Sequence, residues 1–133
     1  MAGTATYPST INLGSASIAD ADGVTLKTLF TAPAAGSRVN GISLTSSDSV
    51  SRDVELYINL GGSDIPLGCV TVPANAGTVA GVSPVSMLAI LQGVLDGAGY
   101  MLLKGGAILK VAALAAGTHS KQVNAIAFGA DFT

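Results

Sequence analysis

The chain is short of charge and of side chains that carry chemistry. Its 133 residues include six basic and eight acidic ones, a charged fraction of 11%, where an ordinary soluble domain has about 25%. It has one cysteine, which excludes an internal disulfide, one histidine and no tryptophan. The surface of so small a domain must then consist largely of apolar and small neutral groups. The simplest physical explanation is that other protein covers much of that surface.

The basic residues are scattered singly along the chain, with no stripe or cluster. Nucleic-acid binding requires concentrated positive charge to displace counterions, and attraction to anionic membranes requires the same. The sequence therefore argues against both kinds of partner. The six basic positions are Lys27, Arg38, Arg52, Lys104, Lys110 and Lys121.

Long apolar runs are also absent. The longest unbroken one near the middle of the chain is residues 87–91, whereas a membrane span needs about 20 predominantly apolar residues. The first residues have neither the positive segment nor the apolar segment of a secretory signal. We therefore expect a protein that is assembled in a cytoplasm.

What the sequence does have is a period of two, the period of β-strands. In residues 52–60, apolar side chains at positions 54, 56, 58 and 60 alternate with polar ones at 53, 55, 57 and 59, which predicts a half-buried antiparallel strand. Residues 65–72 are apolar on both faces and predict a more fully buried strand, joined to the first by a four-residue turn. Further strands are predicted at residues 10–18, 24–31, 38–46, 100–103, 107–114 and 121–128.

These eight short strands, separated by turn-forming residues, predict an all-β fold: an antiparallel β-sandwich or jelly-roll. We expect one domain over residues 10–133, preceded by an N-terminal arm at residues 1–9. One segment departs from the strand pattern. Ser83 and Pro84 resemble a helix start, which predicts a short helix over residues 84–92 in a crossover between the two halves of the sandwich.

Within the helix predicted at residues 84–92, the segment 87–91 is apolar nearly all round, so it must be buried on all sides. It either plugs one end of its own sandwich or packs on a neighbouring subunit. The candidate subunit or capsid contacts are therefore Met87, Leu88 and Leu91, together with Tyr7 and Pro8 in the arm.

The residues that could carry chemistry are each explained more simply by structure. Cys69, between apolar neighbours, is expected to be a small core side chain. His119 lies in a predicted hairpin turn. The acidic pair Asp20 and Asp22 precedes a glycine, as in turns, and lacks the other ligands of a calcium loop.

Asp53 and Glu55 form the closest acidic pair on one strand. They share its outward face at about 6.6–7 Å along the strand, a separation that general acid/base catalysis could use. A solvated strand face explains them equally well, and we expect Arg52 and Asp53 to form surface or intersubunit ion pairs. The sequence thus predicts no catalytic, metal-binding or cofactor-binding residues.

Several segments resemble small virion proteins of tailed bacteriophages, in particular capsid decoration (cement) proteins. The resemblance covers most of the chain from about Leu26 onward, in patterns of turns and apolar residues. It lies in residues 28–39, 46–56, 66–77, 106–114 and 129–133.

This resemblance implies a β-sandwich that binds the outside of an icosahedral head. Such proteins commonly bind as trimers at three-fold positions and clamp neighbouring units of the major capsid protein against the pressure of packaged DNA. The family offers no catalytic residues. The alternatives are a tail or neck component, and a receptor- or carbohydrate-binding sandwich displayed on the virion.

Overall fold

A computed structural model describes residues 8–132 and shows an all-β fold of two antiparallel sheets packed as a sandwich, with one short helix. The predicted fold class is confirmed. The strands are β1 (Pro8–Ala19), β2 (Lys27–Thr31), β3 (Ser37–Ser46), β4 (Arg52–Asn59), β5 (Asp64–Val72), β6 (Val85–Ser86), β7 (Met101–Leu103), β8 (Ile108–Ala113) and β9 (Gln122–Phe132); the helix is α1 (Met87–Ile90), and 3-10 turns occupy Asp20–Asp22 and Gln92–Val94.

The five-stranded sheet has the order β1-β9-β3-β6, and β7 also pairs with β3 beside β6. The four-stranded sheet has the order β2-β8-β4-β5. The last strand of the chain therefore lies between the first and the third. Sequence patterns do not reveal this order, because β1 and β9 are joined by pairs such as Leu13 with Phe128, more than a hundred residues apart.

The core lies between the sheets and is filled by side chains at alternate positions of their strands. In β4, Val54 and Leu56 are fully buried, while Asp53 and Glu55 point to the other face. The predicted period of two is confirmed there. The largest fully buried core side chains on the strands are Phe30, Val39, Ile42, Leu44, Val54, Leu56, Val72, Leu109 and Val111.

One close approach between the sheets depends on a glycine. A side-chain carbon at Gly14 in β1 would collide with the backbone carbonyl of Leu29 in β2. Asn12 Nδ2 also donates a hydrogen bond to the carbonyl of Thr31, at 3.2 Å. The absence of a side chain at Gly14 therefore allows β1 to lie directly against β2 and to close that side of the sandwich.

Two predicted elements differ most from the structure. Strand β5 is an edge strand whose only buried side chains are Val70 and Val72, so the prediction of a more fully buried strand is wrong. The helix is shorter than predicted, because Val85 and Ser86 pair with β3 as β6 and the helix begins only at Met87. The apolar composition of residues 65–72 and 84–92 does not predict their burial or conformation, because these depend on neighbouring strands that are distant in sequence.

Within the described residues, no helix is long and apolar enough to cross a membrane.

Candidate functional site

The helix α1 closes one end of its own sandwich. Met87 is 0% exposed and Leu88 is 3% exposed, so the structure places both in the core of this chain and not on a surface that another subunit could contact. Leu91 is partly buried against β5, where a side-chain carbon at Gly68 would lie 2.6 Å from Leu91 Cδ2. The exposed apolar side chain of the helix is Ile90.

The two arm residues have different outcomes. Pro8 is partly buried and begins strand β1, where it pairs with Phe132 of β9. The strand thus starts two residues earlier than predicted. Tyr7 lies outside the described residues.

The most heavily bonded polar group is the buried carboxylate of Asp48. Its side chain is almost completely buried and accepts hydrogen bonds from Arg52 Nε at 2.7 Å, from the Thr118 backbone N–H at 2.9 Å and from Thr118 Oγ1 at 2.7 Å. The Val50 N–H donates another at 3.0 Å.

These bonds set the charge state of Asp48. Burial by itself raises the pKa of the carboxyl, but the hydrogen bonds from Thr118, Arg52 and Val50 outweigh burial and hold the pKa far below its ordinary value of 3.8. The guanidinium of Arg52 also donates to the Ala116 carbonyl at 3.2 Å. The cluster therefore ties the loop after β3 to the loop before β9, which is a structural task.

His119 and the two acidic turn residues form two separate pairwise contacts. His119 is 94% exposed, and its Nδ1 lies 3.2 Å from a carboxylate oxygen of Asp20. Asp22 accepts a hydrogen bond from the Ala19 N–H and pairs with Lys27 Nζ at 3.1 Å, and these contacts lower its pKa. Residues 8–132 contain no group of three or more histidine, cysteine or acidic side chains placed to hold a metal ion.

The acidic pair on β4 is engaged by its neighbours. Asp53 accepts a hydrogen bond from Thr71 Oγ1 at 2.7 Å, and Glu55 accepts one from the Tyr57 hydroxyl, which raises the pKa of Tyr57. Arg52 forms an ion pair as expected, but its partner is the buried carboxylate of Asp48.

Cys69 is exposed on the edge strand beside Glu55, and the prediction that it is a core side chain is therefore wrong. Partial burial raises its pKa, and the carboxylates of Asp53 and Glu55 raise it further. A raised pKa disfavours the thiolate, the reactive form of cysteine.

The outer faces of the two sheets are unlike each other. The outer face of the four-stranded sheet is polar and charged: Asp53, Glu55 and Tyr57 share it with Lys110, which pairs with Asp64 at 3.0 Å. The outer face of the five-stranded sheet is apolar over its middle. There Ile11 is 82% exposed, Leu13 60%, Ile126 43% and Phe128 44%.

Most aromatic side chains in residues 8–132 are at least partly exposed, and Phe128 is one of them. Among the aromatic residues that the structure describes, Phe30 alone is fully buried, whereas Tyr57, Tyr100 and Phe132 are partly exposed. The feature that best qualifies as a functional site is therefore the apolar outer face around Phe128. The period-two pattern of β9 places Ile126 and Phe128 on one face, but it does not tell which face the second sheet covers.

The chain matches no protein-family model, no curated protein and no solved structure.

Proposed function

We propose that this chain is a non-enzymatic structural protein of a bacteriophage particle. In this proposal it is a capsid decoration protein that binds the outside of the head as a homotrimer, contacts the major capsid protein and stabilises the shell. It acts at the virion surface after assembly in the host cytoplasm.

The observation that carries the proposal is the contrast between the two outer faces of the sandwich. The outer face of the four-stranded sheet is charged and suited to solvent. The outer face of the five-stranded sheet exposes the apolar side chains of Ile11, Leu13, Ile126 and Phe128 to solvent. Exposed apolar patches with polar surroundings are typical of protein interaction sites. The resemblance of residues 28–39, 46–56 and 66–77 to decoration proteins supplies the kind of particle.

The side chains that a hydrolytic enzyme would use are distributed over different elements and already paired. His119 faces Asp20 on the loops, while Asp53 and Glu55 lie on β4 with Thr71 and Tyr57 as partners. Catalysis needs such groups to converge on one reacting atom. The arrangement favours a structural role over an enzymatic one.

The proposed mechanism is mechanical and follows mass action. A protein that binds only the expanded, mature shell stabilises that state, and at a free concentration of 100 times the Kd each site contributes about 2.7 kcal/mol. Many copies bound to one lattice also gain avidity, so each individual contact can be modest.

The N-terminal segment is the part of the chain that we assign to the shell. Pro8 is the point at which this segment joins the five-stranded sheet. Its residues are small and largely uncharged, which suits an arm that lies against a neighbouring protein. Tyr7 and Pro8 are the residues we expect to contact the capsid.

The test is binding of the full chain to expanded and to unexpanded shells that lack it. We expect saturable co-sedimentation with expanded shells, in a copy number that is a multiple of three for each three-fold position. The variant Tyr7→Ala should bind these shells more weakly, whereas Tyr57→Ala, which changes an aromatic side chain on the charged face, should bind as the wild type does.

Failure to bind either shell would overturn the decoration role. Association with purified tails instead would favour a tail or neck component, and retention on host-surface sugars would favour a receptor-binding sandwich.

A further inference from the structure

Strand β9 places its large side chains outward and its small ones inward. Ala125, Ala127 and Gly129 face the core and are buried, whereas Ile126 and Phe128 face outward and are more than two-fifths exposed. A sheet with one solvated face normally has the opposite pattern, apolar inside and polar outside. The two large apolar side chains of β9, Ile126 and Phe128, therefore lie outside the core of their own chain.

Neighbouring β1 has the same arrangement. Ile11 and Leu13 point outward, while Gly14 and Ala16 point inward. The small inner residues have a steric cause, because the backbone of Leu29 stands directly below Gly14, and a side-chain carbon at Gly129 would lie 3.2 Å from Phe30. The steric requirement explains the small residues inside but not the large residues outside.

The outward side chains form one continuous patch. Leu13 and Phe128 are directly paired across β1 and β9, and Ile11 and Ile126 flank them on the same face. Cross-strand partners on one face contact each other, so these four side chains form a single apolar surface, which we call the outer patch.

Polar groups border the outer patch. At one end of the same strands Ser17 Oγ donates a hydrogen bond to Asn124 Oδ1 at 2.7 Å. Ser15 and Ser43 stand on either side of Ile126. An apolar centre with a polar rim is the usual anatomy of a protein–protein interface.

A groove lies beside the outer patch. It runs between Phe128 and the Pro84–Ser86 segment, over Gly41, and has a volume of about 400 Å³. A side-chain carbon added at Gly41 would meet no atom within 4 Å. The projecting Phe128 ring and the open space over Gly41 are thus adjacent on one surface, which gives that surface a shape that a second copy can complement.

Charge also favours a second copy. Among the outward side chains of β1, β3 and β9 within residues 8–132, Arg38 alone is charged, and it stacks on the Tyr100 ring with its guanidinium carbon 4.4 Å from the ring centre. A charged partner would lose solvation against the four apolar side chains of the outer patch without gaining a counter-charge there. A second copy brings an identical apolar patch and avoids that cost.

The outer face of the five-stranded sheet is large enough for an interface between two copies. The eleven residue pairs of β1 and β9 make it about 36 Å long at ~3.3 Å per residue, and the three long strands β1, β9 and β3, each about 4.8 Å wide, make it roughly 14 Å wide. The projected area is on the order of 500 Å², to which the short strands β6 and β7 add. Side-chain relief raises this toward the ~800 Å² that each partner buries in a standard interface.

We propose that the outer face of the five-stranded sheet, centred on Leu13 and Phe128, is the interface between copies of this chain. This inference rests on the self-association proposed above and names its surface. Phe128 of one copy packs against the groove over Gly41 of another, and the outer patches cover each other.

The experiment is sedimentation velocity of the full chain over a range of concentrations. We expect the wild type to be an oligomer. Leu13→Lys/Phe128→Lys, which places charge on the face, should raise the dissociation constant of the oligomer about 100-fold or more, because substitutions at the centre of an interface have the largest effects.

Two further variants separate the interface from folding. Gly41→Lys fills the groove at a position where the side chain has free space, so it should fold normally and also dissociate. The control Val50→Lys/Leu60→Lys changes two exposed apolar residues outside the five-stranded sheet and should remain an oligomer.

A wild type that stays monomeric at every concentration would overturn the inference, as would an oligomer that both face variants leave intact. A trimer lost in the face variants supports the interface together with the homotrimer. If the wild type is a dimer and the face variants dissociate it, the interface is supported and the homotrimer is contradicted. Shell binding is a separate measurement, so its failure leaves the interface result standing.

Discussion

At the scale of single residues, the carboxylate of Asp48 is the most consequential polar group in the described chain. It receives bonds from Arg52, Thr118 and Val50, and its partner Thr118 is seventy residues away in sequence. All buried side-chain polar atoms in residues 8–132 have a hydrogen-bond partner. Removing this carboxylate would leave buried donors without an acceptor and an arginine without its counter-charge.

We therefore predict that Asp48→Asn destabilises the fold by about 3 kcal/mol, the usual cost of breaking a buried ion pair. The measurement is the free energy of unfolding from urea denaturation at neutral pH. The control is Asp53→Asn, which removes an exposed carboxylate with one hydrogen bond, and which should cost less than about 1 kcal/mol. Equal losses in the two variants would contradict the anchoring role of Asp48.

The lowered pKa of Asp48 leads to a pH dependence. Because the folded-state pKa lies below the ordinary value of 3.8, the carboxylate contributes stability that is fully present above about pH 4 and is lost as the pH falls toward the folded-state pKa. The difference in unfolding free energy between wild type and Asp48→Asn should therefore shrink steadily below pH 4.

The comparison with Asp48→Asn isolates this one group. Asp22, Asp64 and Asp96 also have lowered pKa values, but both proteins contain them, so their contributions cancel. Urea denaturation at several pH values between 2 and 6 makes the test. A constant difference over that range would show that Asp48 does not titrate with a lowered pKa.

Residue roles were predictable from sequence only where the local pattern decides them. The exposed turn position of His119 followed from its turn-forming neighbours. The exposure of Cys69 could not be predicted in the same way, because its apolar neighbours in sequence do not reveal that β5 is an edge strand. The role of Asp48 could not be predicted, since the sequence around it does not reveal Thr118 as a partner.

At the scale of elements, the strands were predictable and their partners were not. Alternation fixed β4 to within one residue, at Arg52–Asn59 against the predicted 52–60. The pairing of β1 with β9 depends on contacts between the two ends of the described chain. The helix was overestimated because Val85 and Ser86 gain more from pairing with β3 than from a further helical turn.

The seating of β1 on β2 gives a prediction for Gly14. Gly14→Ala should destabilise the fold by about 2–3 kcal/mol, because the added methyl group collides with the Leu29 carbonyl and the backbone must shift. Gly41→Ala is the matched control, since it lies in the same sheet with open space beside it. Denaturation midpoints of both variants decide the matter, and an unchanged midpoint for Gly14→Ala would contradict the close approach.

At the scale of the whole molecule, the sandwich has one polar, charged outer face and one outer face with an apolar middle. The scarcity of charge in the sequence pointed to covered surface, and the structure places one continuous exposed apolar patch on the five-stranded sheet, at Ile11, Leu13, Ile126 and Phe128. Sequence alone could not give this location, because the inward or outward direction of Ile126 and Phe128 depends on which side the second sheet packs.

The central proposal is that this protein binds a phage shell and stabilises it. The most direct measurement is the temperature at which expanded shells lacking the protein break open, taken with increasing amounts of added protein. The account predicts that this temperature rises and levels off when the binding positions are full, since bound copies stabilise the intact state. A breaking temperature that stays unchanged at saturating protein would contradict the account.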